Sequence, residues 1–559
     1  MSAIDFFQIA FFLALLVLLS PPLGRYIAHV LENGLRCGRS MESVLYRAIG
    51  VDARVDMTWV QYVVAVVAFN AVGFFLLLAI LLFQGFLPLN PQGLSGMKFP
   101  LAWNTAISFV TNTNWQAYSG EAALSYLSQM VGLTVQNFLS AATGIAVLAA
   151  LIRGFVRRAP NGLGNFWADL VRSTLYILLP LSLVLAVVLV SQGVVQSFAP
   201  YPAATTLEGS EQVLPLGPAA SQIAIKQIGT NGGGYFGVNS AHPFENPTPL
   251  SNFLQLLAIL LIPAALCFTF GTMANDLRQG WTIFFVMLAL FVAGLGLSLW
   301  AELSPNPITG VPINMEGKEQ RLGVVNSVLW STATTAASNG SVNAMHDSLS
   351  PVAGLVAMLN IMLGEIVFGG VGAGLYGMFM HVLLTVFIAG LMVGRSPEYL
   401  GKRIEAREVR LVVLAVLAPS ALILIGSAIA CTTEAGLSSL ANSGPHGLSE
   451  ILYAFASAAG NNGSAFAGLT ADTPFYNYAL GLCMVIGRFV VIIPALAIAG
   501  GMVSKKIAPP SPGTFPTTGP VFSILLVAVI LIVGALTFLP ALTLGPIVEH
   551  LLMLQGRTF

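Results

Sequence analysis

Four short polar stretches decide the fold of this chain: TNTNWQ at 111–116, TNGGGYFG at 230–237, SNGSVN at 338–343 and NNGSAFAG at 461–468. Each follows a moderately apolar segment that is too short to cross a bilayer, and each lies between two long apolar segments. A pattern that recurs four times in one chain indicates an internally repeated architecture. The stretches align on an Asn followed by Gly or Thr: Asn112-Thr113, Asn231-Gly232, Asn339-Gly340 and Asn462-Gly463.

The composition around these stretches is that of a polytopic membrane protein. Of the 559 residues, 56% are hydrophobic and only 8% are charged, whereas soluble domains carry about 25% charged residues. The net charge of zero excludes a basic surface for nucleic acid. The cysteines form no C-x-x-C pair, so neither a zinc site nor a disulfide framework is indicated; they are Cys37, Cys267, Cys431 and Cys483.

Ten apolar stretches are long enough to span a bilayer, which takes about 20 residues of helix. The seventh is too long for one straight helix and is interrupted by Gly369, Gly370, Gly372, Gly374 and Gly377. The predicted class is therefore an all-α protein with ten transmembrane helices. Their approximate limits are 4–20, 58–83, 122–152, 170–196, 248–273, 281–300, 351–393, 409–430, 474–503 and 520–543.

The basic residues predict the orientation of these spans. Seventeen of the 23 lysines and arginines fall in the loops that follow odd-numbered spans, and five fall on the other side. Loops that are rich in Lys and Arg stay in the cytoplasm. We therefore expect both termini to lie outside.

Spans two to nine form four units of the same orientation, each a span, a pore loop and a second span. This plan predicts a pseudo-fourfold, potassium-channel-like arrangement, with an extra N-terminal span and cytoplasmic loop in 1–57 and an extra C-terminal span in 520–559. The predicted repeats are 58–169 with a pore loop near 101–116, 170–280 with one near 219–236, 281–408 with one near 323–343 and a broken second span, and 409–519 with one near 446–466.

The composition of the four stretches suggests a binding site for a monovalent cation. Glycine can point successive backbone carbonyls in one direction, and a ring of carbonyls can replace the hydration shell of potassium. Short helices whose C-terminal ends face the axis would add negative potential. The aligned positions carry no carboxylate, which argues against a divalent site.

Two charged residues fall inside predicted spans, where a charge is costly. Glu365 precedes the glycine run and Arg488 lies near the middle of span nine. They form either a structural ion pair or part of the ion pathway. The glycine run likewise has two interpretations: Gly370 and Gly374 pack helices closely, or the run breaks a helix that acts as a gate.

Five long motifs resemble the KdpA family, the channel-like subunits of bacterial Kdp potassium-importing P-type ATPases. The resemblance covers essentially the whole chain. The motifs are TNTNWQAYSGE from Thr111, IGTNGGGYFGVNSAHPFENP from Ile228, SNGSVNAMHDSLSP from Ser338, GRSPEYLGKRI from Gly394 and GNNGSAFAG from Gly460.

The resemblance implies a K⁺ selectivity filter that opens to the periplasm and is made of backbone carbonyls. Gln116 is implied to stand near the filter, and Arg488 below it as a barrier against leakage. Because the glycines are fewer than in the TVGYG sequence of potassium channels, we expect one dominant ion site. The implied central positions are Thr113, Gly232, Gly340 and Gly463, preceded by Asn112, Asn231, Asn339 and Asn462.

The resemblance also implies partners in a bacterial inner membrane. The chain contains neither G-x-x-x-x-G-K-[ST] nor DKTGT, so ATP and Mg²⁺ would be handled by another chain. That chain is implied to be a KdpB-like P-type ATPase subunit, with small KdpC- and KdpF-like accessory subunits. The transported ion would be K⁺, and besides these chains only membrane lipids are expected as partners, with no nucleic acid and no organic cofactor.

Two other functions remain open at this point. A stand-alone potassium channel or transporter of the Trk/Ktr type shares the fourfold plan, but it would have a nucleotide-gating ring and no copurifying ATPase. A polytopic membrane enzyme would need His, Asp or Glu clustered at the membrane face. The sequence shows no such cluster with convincing spacing, and we assign none of the histidines to a metal.

Overall fold

The computed structural model describes residues 2–35, 38–157, 162–311, 313–509 and 514–558. Arg36 and Arg158, two of the basic loop residues, and Cys37 lie outside these ranges. Of the other cysteines, Cys267 and Cys483 are buried and Cys431 is partly buried.

The described residues form helices with two very short hairpins. Strand Ala203–Thr205 pairs with Glu211–Val213, and Glu398–Tyr399 pairs with Lys402–Arg403, both antiparallel. The helices, numbered in chain order, are α1 (Ala3–Asn33), α2 (Arg39–Ala48), α3 (Trp59–Phe83), α4 (Phe99–Val110), α5 (Gly120–Ala123), α6 (Val135–Val156), α7 (Phe166–Arg172), α8 (Leu179–Ser191), α9 (Ala219–Ile228), α10 (Pro249–Met273), α11 (Leu277–Glu302), α12 (Gly323–Ala336), α13 (Pro351–Met362), α14 (Ala373–Met392), α15 (Ala406–Thr432), α16 (Glu434–Leu437), α17 (Gly444–Gly460), α18 (Pro474–Val503), α19 (Pro520–Leu542) and α20 (Val548–Leu554).

Ten helices in the described part of the chain are long and apolar enough to cross a membrane, which confirms the predicted class. Three of them include a π-helical segment: Ser128–Thr134 precedes α6, Ser173–Leu178 joins α7 to α8, and Thr543–Ile547 joins α19 to α20. The protein is a multi-pass membrane protein. The candidate spans are Ala3–Asn33, Trp59–Phe86, Ser128–Val156, Phe166–Ser191, Pro249–Met273, Leu277–Glu302, Ala373–Met392, Ala406–Thr432, Pro474–Val503 and Pro520–Leu554.

The seventh predicted span is broken, but not over the whole glycine run. Helix α13 ends at Met362 and α14 begins at Ala373, so residues 363–372 link them without helix. Gly369, Gly370 and Gly372 lie in this link, whereas Gly374 and Gly377 lie inside α14, contrary to the prediction. The alternative in which Gly370 and Gly374 pack helices closely does not match the structure, since Gly370 lies in the link and it is Gly369 that packs against Gly374: a Cβ on Gly369 would lie 2.7 Å from the Gly374 Cα.

Candidate functional site

Four short helices end at the four polar stretches, which we call ring segments 1 to 4 (111–116, 230–237, 338–343 and 461–468). They are α4, α9, α12 and α17, with 12, 10, 14 and 17 residues. Each is largely buried and too short to span a bilayer. Because a helix C-terminus carries partial negative charge, four such ends create a region of negative potential.

One hydrogen bond fixes the register of all four segments. In each, a backbone N–H donates to the carbonyl five residues earlier, in the last turn of the short helix. The residue before that N–H has a left-handed backbone, with φ of 68°, 48°, 53° and 63° at Asn112, Thr230, Ser338 and Asn461. The bonds are Thr113 to Ser108 (2.9 Å), Asn231 to Lys226 (2.8 Å), Asn339 to Thr334 (3.1 Å) and Asn462 to Ser457 (2.9 Å).

This register corrects the sequence alignment of segment 1 by one residue. Thr113 is equivalent to Asn231, Asn339 and Asn462, not to the glycines that follow them. Asn114 therefore takes the glycine position. It has a left-handed φ of 58°, which Asn tolerates better than most residues. Alignment on Asn-Thr was wrong because the segment holds two asparagines, Asn112 and Asn114.

Backbone carbonyls from three other segments converge on Gly232. A Cβ at this position would lie 2.7 Å from the Thr113 oxygen, 2.9 Å from the Asn339 oxygen and 3.1 Å from the Asn462 oxygen. The same neighbour relation holds for the other glycines. A Cβ on Gly340 would collide with the Asn462 carbonyl, and one on Gly463 with the Thr113 carbonyl.

We call this arrangement the carbonyl ring: the backbone oxygens of Thr113, Asn339 and Asn462 converge on Gly232, and Asn231, the equivalent residue of segment 2, directly precedes Gly232. Any side chain at the three glycines would meet carbonyl oxygen atoms, so these positions need glycine. Oxygen atoms of four peptide groups, brought together without a carboxylate, suit a weakly hydrated monovalent cation.

Four side-chain amides and one serine hydroxyl join the four segments into a closed circuit. Each bond links one segment to its neighbour or to the short helix before that neighbour, so the order around the axis is 1, 2, 3, 4 and back to 1. The asparagines predicted from the sequence supply most of these links. The bonds are Asn112 Nδ2 to the Thr230 carbonyl (2.9 Å), Asn339 Nδ2 to the Asn231 carbonyl (3.1 Å), Asn462 Nδ2 to the Thr334 carbonyl (3.0 Å), Ser338 Oγ to the Asn461 carbonyl (3.0 Å) and Asn461 Nδ2 to Thr113 Oγ1 (3.0 Å).

Gln116 lies beside the ring, as expected, but it acts on segment 2. Its Oε1 accepts from the Gly234 N–H at 2.8 Å, and its Nε2 donates to the Gly234 carbonyl at 3.2 Å. Gln116 therefore fixes the backbone of the neighbouring segment by a two-point bond.

Glu365 and Arg488 line one small cavity of about 60 Å³ that adjoins segments 3 and 4 through Ser338 and Asn461. They are 2% and 6% exposed. No ion pair joins them in the described structure, so the structural-pair interpretation is wrong. Both Glu365 carboxylate oxygens are buried without a hydrogen-bond partner among the described residues.

The link between α13 and α14 contacts the ring segments directly. The Val371 N–H donates to Thr230 Oγ1 at 2.8 Å, and a Cβ on Gly370 would lie 3.1 Å from the Ser338 Cβ. Gly372 begins α14 with φ of 86°, and a Cβ there would collide with the Gly144 carbonyl. The glycine-rich link is therefore packed against segments 2 and 3, so that a movement of the link would displace residues of these segments.

The structure also assembles a cluster of titratable residues that the sequence spacing did not predict. His446 Nε2 lies 3.0 Å from Asp347 Oδ1, and His446 Nδ1 lies 2.8 Å from Glu549 Oε1. Glu450 stands one helical turn from His446 in α17, and its carboxylate lies within 4.8 Å of Asp347 and His446. Burial lowers the pKa of His446, but the bonds to the two carboxylates outweigh it and raise that pKa to about 10. An imidazolium between carboxylates ties α20 to α17 without any further ligand.

Two further residues at the ring escaped the sequence analysis, Lys226 and Glu245. Lys226 is one of the five basic residues outside the predicted cytoplasmic loops and spans, and Glu245 lies in the HPFENP stretch. In the structure they form an ion pair of 2.7 Å. The sequence signal that points to this pair is a single lysine within a short helix that the fold must bury, because a buried lysine needs a partner of opposite charge.

The sequence model of the family described as Potassium-transporting ATPase A subunit, KdpA, matches residues 10–551. The chain belongs to this family. The potassium-transporting ATPase potassium-binding subunit of Pseudomonas aeruginosa is 59% identical over 560 residues, covering 99% of each chain. The subunit of the same name from Rhodospirillum centenum is 58% identical over 570 residues, covering 100% of this chain and 99% of that one. These matches confirm the resemblance stated from the five motifs.

A solved structure shares the fold. The crystal structure of the potassium transporter TrkH from Vibrio parahaemolyticus matches with a TM-score of 0.51 and 14% identity, covering 86% of this chain and 95% of that one. At this identity the likeness concerns the fold alone. It supports the predicted all-α, channel-like fold.

Proposed function

We propose that this chain binds K⁺ from the outer side and passes it into the membrane part of an ATP-driven import complex. The observation that carries the proposal is the carbonyl ring, where oxygens of Thr113, Asn339 and Asn462 converge on Gly232. Family membership supports it, as do the names of relatives that are 59% and 58% identical. The C-terminal ends of four short helices supply the negative potential for a cation.

The chemistry of the ring favours K⁺ over divalent ions. Ca²⁺ and Mg²⁺ sites use carboxylates, which carry the charge needed to dehydrate these ions. The ring offers neutral carbonyls held by side-chain amides, a set suited to replacing the shell of a weakly hydrated cation. In this proposal the filter consists of Asn112, Thr113, Asn231, Gly232, Asn339, Gly340, Asn462 and Gly463, with Asn114 added as the equivalent of the glycines.

The cavity that adjoins the ring is the proposed start of the onward pathway. The carboxylate of Glu365 has no partner among the described residues and could receive a cation that leaves the ring. Arg488 lines the same cavity, and its charge would oppose free passage. The glycine-rich link, with Gly369, Gly370 and Gly372, contacts segments 2 and 3 and is the proposed gate.

The division of the chain and its topology are part of the proposal. The repeats are 58–169, 170–280, 281–408 and 409–519, and each contains one short helix that ends at a ring segment. The bias of basic residues supports cytoplasmic loops after the odd-numbered spans, with both termini outside a bacterial inner membrane.

The proposed partners follow from what the chain lacks in sequence. It carries no nucleotide-binding motif, so a KdpB-like P-type ATPase subunit would hydrolyse ATP. KdpC- and KdpF-like membrane subunits would complete the complex. This chain would be the non-catalytic subunit that selects the ion.

The test is ATP hydrolysis by the complex that copurifies with this chain from its native membrane. The preparation is titrated with K⁺ and, separately, with Na⁺. Stimulation by K⁺ but not by Na⁺ is the expected result. An absence of ATPase, together with K⁺ flux from the chain alone in liposomes, would contradict the proposal and indicate a stand-alone transporter.

A further inference from the structure

A buried ion pair stands directly behind ring segment 2. Lys226 Nζ lies 2.7 Å from Glu245 Oε2, and the two side chains are 1% and 0% exposed. Lys226 is the only lysine or arginine on the four short helices, which the structure describes in full. A permanent positive charge next to a cation site requires a reason, because it opposes cation binding unless it is neutralised.

The pair contacts the backbone of the segment at two points. Lys226 Nζ donates to the Gly233 carbonyl at 3.0 Å. Glu245 Oε1 accepts from the Phe236 N–H at 3.0 Å. Both contacts fall within four residues of Gly232, the position on which the ring carbonyls converge.

Segment 2 needs such external support because it contains three consecutive glycines. Gly233 has a left-handed φ of 70°, and Gly232, Gly233 and Gly234 offer no side chain to brace the loop. Glycine loses more conformational freedom on ordering than any other residue. Without anchors, the carbonyl that now points to Lys226 could turn.

Close packing leaves little room for any other brace. A Cβ on Gly234 would lie 2.8 Å from Glu245 Oε1, and one on Gly233 would lie 2.7 Å from Gln116 Oε1. The segment is therefore enclosed by the side chains of Gln116 and Glu245 and fixed by the charge-assisted bond from Lys226. Charge-assisted hydrogen bonds are shorter and stronger than neutral ones.

We infer that Lys226 and Glu245 are positioning residues for ion selectivity: Lys226 holds the Gly233 carbonyl, and Glu245 holds the Phe236 N–H and neutralises the lysine next to the ring. The inference rests on the proposed function, since it concerns the ion that the ring selects. It assigns the two members different tasks, and their removal has different consequences.

Glu245→Gln retains an amide oxygen that can accept from Phe236 but leaves the Lys226 charge uncompensated. The charge repels a cation in the ring, so the K⁺ concentration for half-maximal ATPase rises by about tenfold or more, the range seen when one partner of a buried charge pair is removed. The order of preference between K⁺ and Na⁺ is retained.

Lys226→Met removes the bond to Gly233 and leaves a carboxylate that attracts cations without discrimination. K⁺ affinity changes less than in Glu245→Gln. The ratio of the half-maximal Na⁺ and K⁺ concentrations falls by about tenfold. The loosened loop no longer fixes the ring geometry that favours K⁺ over Na⁺, and the loss corresponds to about one charge-assisted hydrogen bond. The signature of the inference is that Glu245→Gln mainly weakens K⁺ affinity, whereas Lys226→Met mainly lowers the discrimination against Na⁺.

The matched control is a second buried ion pair away from the ring. Lys318 Nζ lies 2.8 Å from Glu302 Oε2, with both side chains fully buried. Lys318 Nζ also donates to the Glu316 carbonyl at 3.2 Å. The Lys318 backbone pairs with Ala344, one residue past segment 3, but among the described residues its charged group bonds to Glu302 and Glu316 and not to a ring segment. Lys318→Met and Glu302→Gln should lower the yield of the complex as much as the variants at 226 and 245 do. They should leave K⁺ affinity and discrimination against Na⁺ at wild-type values.

The experiment measures ATPase of the intact copurified complex for wild type and the four variants, titrated with K⁺ and Na⁺. A wild type without K⁺ response refutes the proposed function itself. If the wild type responds to K⁺ but the variants at 226 and 245 match the controls, only the inference is overturned. The same holds if each of these variants shifts K⁺ affinity and discrimination against Na⁺ together. If the Lys226→Met complex does not assemble, it is replaced by Lys226→Arg, which keeps the positive charge but moves the hydrogen-bond donor. Wild-type discrimination between K⁺ and Na⁺ in Lys226→Arg would also overturn the inference.

Discussion

Ring segments 3 and 4 carry hydrogen bonds between their own residues in addition to outside contacts such as that of Trp330 Nε1 with the Ser341 carbonyl (2.8 Å), whereas segment 2 depends on outside side chains. In segments 3 and 4 the glycine is followed by a serine whose backbone N–H donates to the preceding Asn side chain, at 3.0 Å for Ser341 to Asn339 and 3.0 Å for Ser464 to Asn462. The serine hydroxyls donate to the same Oδ1 atoms. Segment 2 has Gly233 at this place and depends on Lys226, Glu245 and Gln116.

The comparison teaches that one backbone register can be fixed in two ways. Asn-Gly-Ser contains the donor and acceptor that stabilise it, so its conformation is encoded locally. The equivalent Asn231-Gly232-Gly233 has no serine hydroxyl, and its Asn231 Oδ1 makes no hydrogen bond among the described residues. Its conformation depends on side chains that lie up to 118 residues away in the chain. Loss of a brace should therefore have a local effect in segments 3 and 4 and a wider one in segment 2.

The largest expected effect comes from adding a side chain at Gly232, where the carbonyls of the other three segments converge. Gly232→Asp places a Cβ within 3.1 Å of three carbonyl oxygens and adds a carboxylate. We expect the half-maximal K⁺ concentration of the ATPase to rise by about a hundredfold or more, since a misplaced group in a packed ion site costs several kcal/mol.

The control for this variant is Gly296→Ala in α11, where an added Cβ meets no atom within 4 Å. It should retain wild-type affinity. Wild-type affinity in Gly232→Asp would remove the ring from the ion pathway.

A smaller effect is expected from removing an internal brace. Ser464→Ala deletes the hydroxyl that donates to Asn462 and contacts Tyr453 at 2.7 Å but leaves the backbone bond in place. A net loss of about 1 kcal/mol for one neutral hydrogen bond corresponds to about fivefold weaker K⁺ affinity.

Ser341→Ala should behave like Ser464→Ala. The control Ser523→Ala, at a partly buried serine whose hydroxyl donates to the Gly519 carbonyl, should behave like wild type in the same K⁺ titration. If Ser464→Ala weakened K⁺ binding more than Glu245→Gln, the contrast between internally and externally held segments would be wrong.

Segment 1 gives a smaller effect and tests the register. Asn114 occupies the glycine position with φ of 58°, and its Nδ2 donates to Asn137 Oδ1 at 2.5 Å. Asn114→Gly keeps the backbone free of strain and loses this bond together with a long one of 3.5 Å from Asn231 Nδ2 to Asn114 Oδ1, so K⁺ affinity should fall by about threefold. Asn114→Ala adds strain of about 1 kcal/mol from its left-handed backbone and should weaken K⁺ affinity more than Asn114→Gly.

Asn137→Ala should match Asn114→Gly, and the double variant should lose no more than either single one. The same K⁺ titration checks all four proteins. Additive losses would show that the two side chains act separately and would contradict the assigned bond.

The smallest effect on K⁺ affinity is expected below the ring. Arg488 lines the adjoining cavity but contacts no carbonyl of the ring, so Arg488→Gln should change the half-maximal K⁺ concentration by less than about threefold. It should instead raise passive K⁺ leak in proteoliposomes that hold the complex, because a central charge barrier is removed. An unchanged leak would refute the barrier role.

The sequence was sufficient for the architecture because apolar length and repeated motifs are local signals. Ten spans, four short helices and the asparagines of the ring follow from them. The break in the seventh span was also predictable, although its limits were not: Gly374 continues α14 because glycine in a buried helix is tolerated where another glycine, Gly369, packs against it.

The site was less predictable wherever its geometry depends on distant residues. Two asparagines in segment 1 allowed two alignments, and only the bond from Thr113 to Ser108 selects one. Lys226 and Glu245 lie 19 residues apart, and His446 meets Asp347 and Glu549 from positions 99 and 103 residues away. Such contacts depend on packing, which no spacing rule encodes.

The most direct measurement is the position of a bound ion in the purified complex, with Tl⁺ in place of K⁺ as a heavy, weakly hydrated substitute. The account predicts one dominant ion density surrounded by the backbone oxygens of Thr113, Asn231, Asn339 and Asn462. Density held only by the Glu365 carboxylate, with the ring empty, would contradict it.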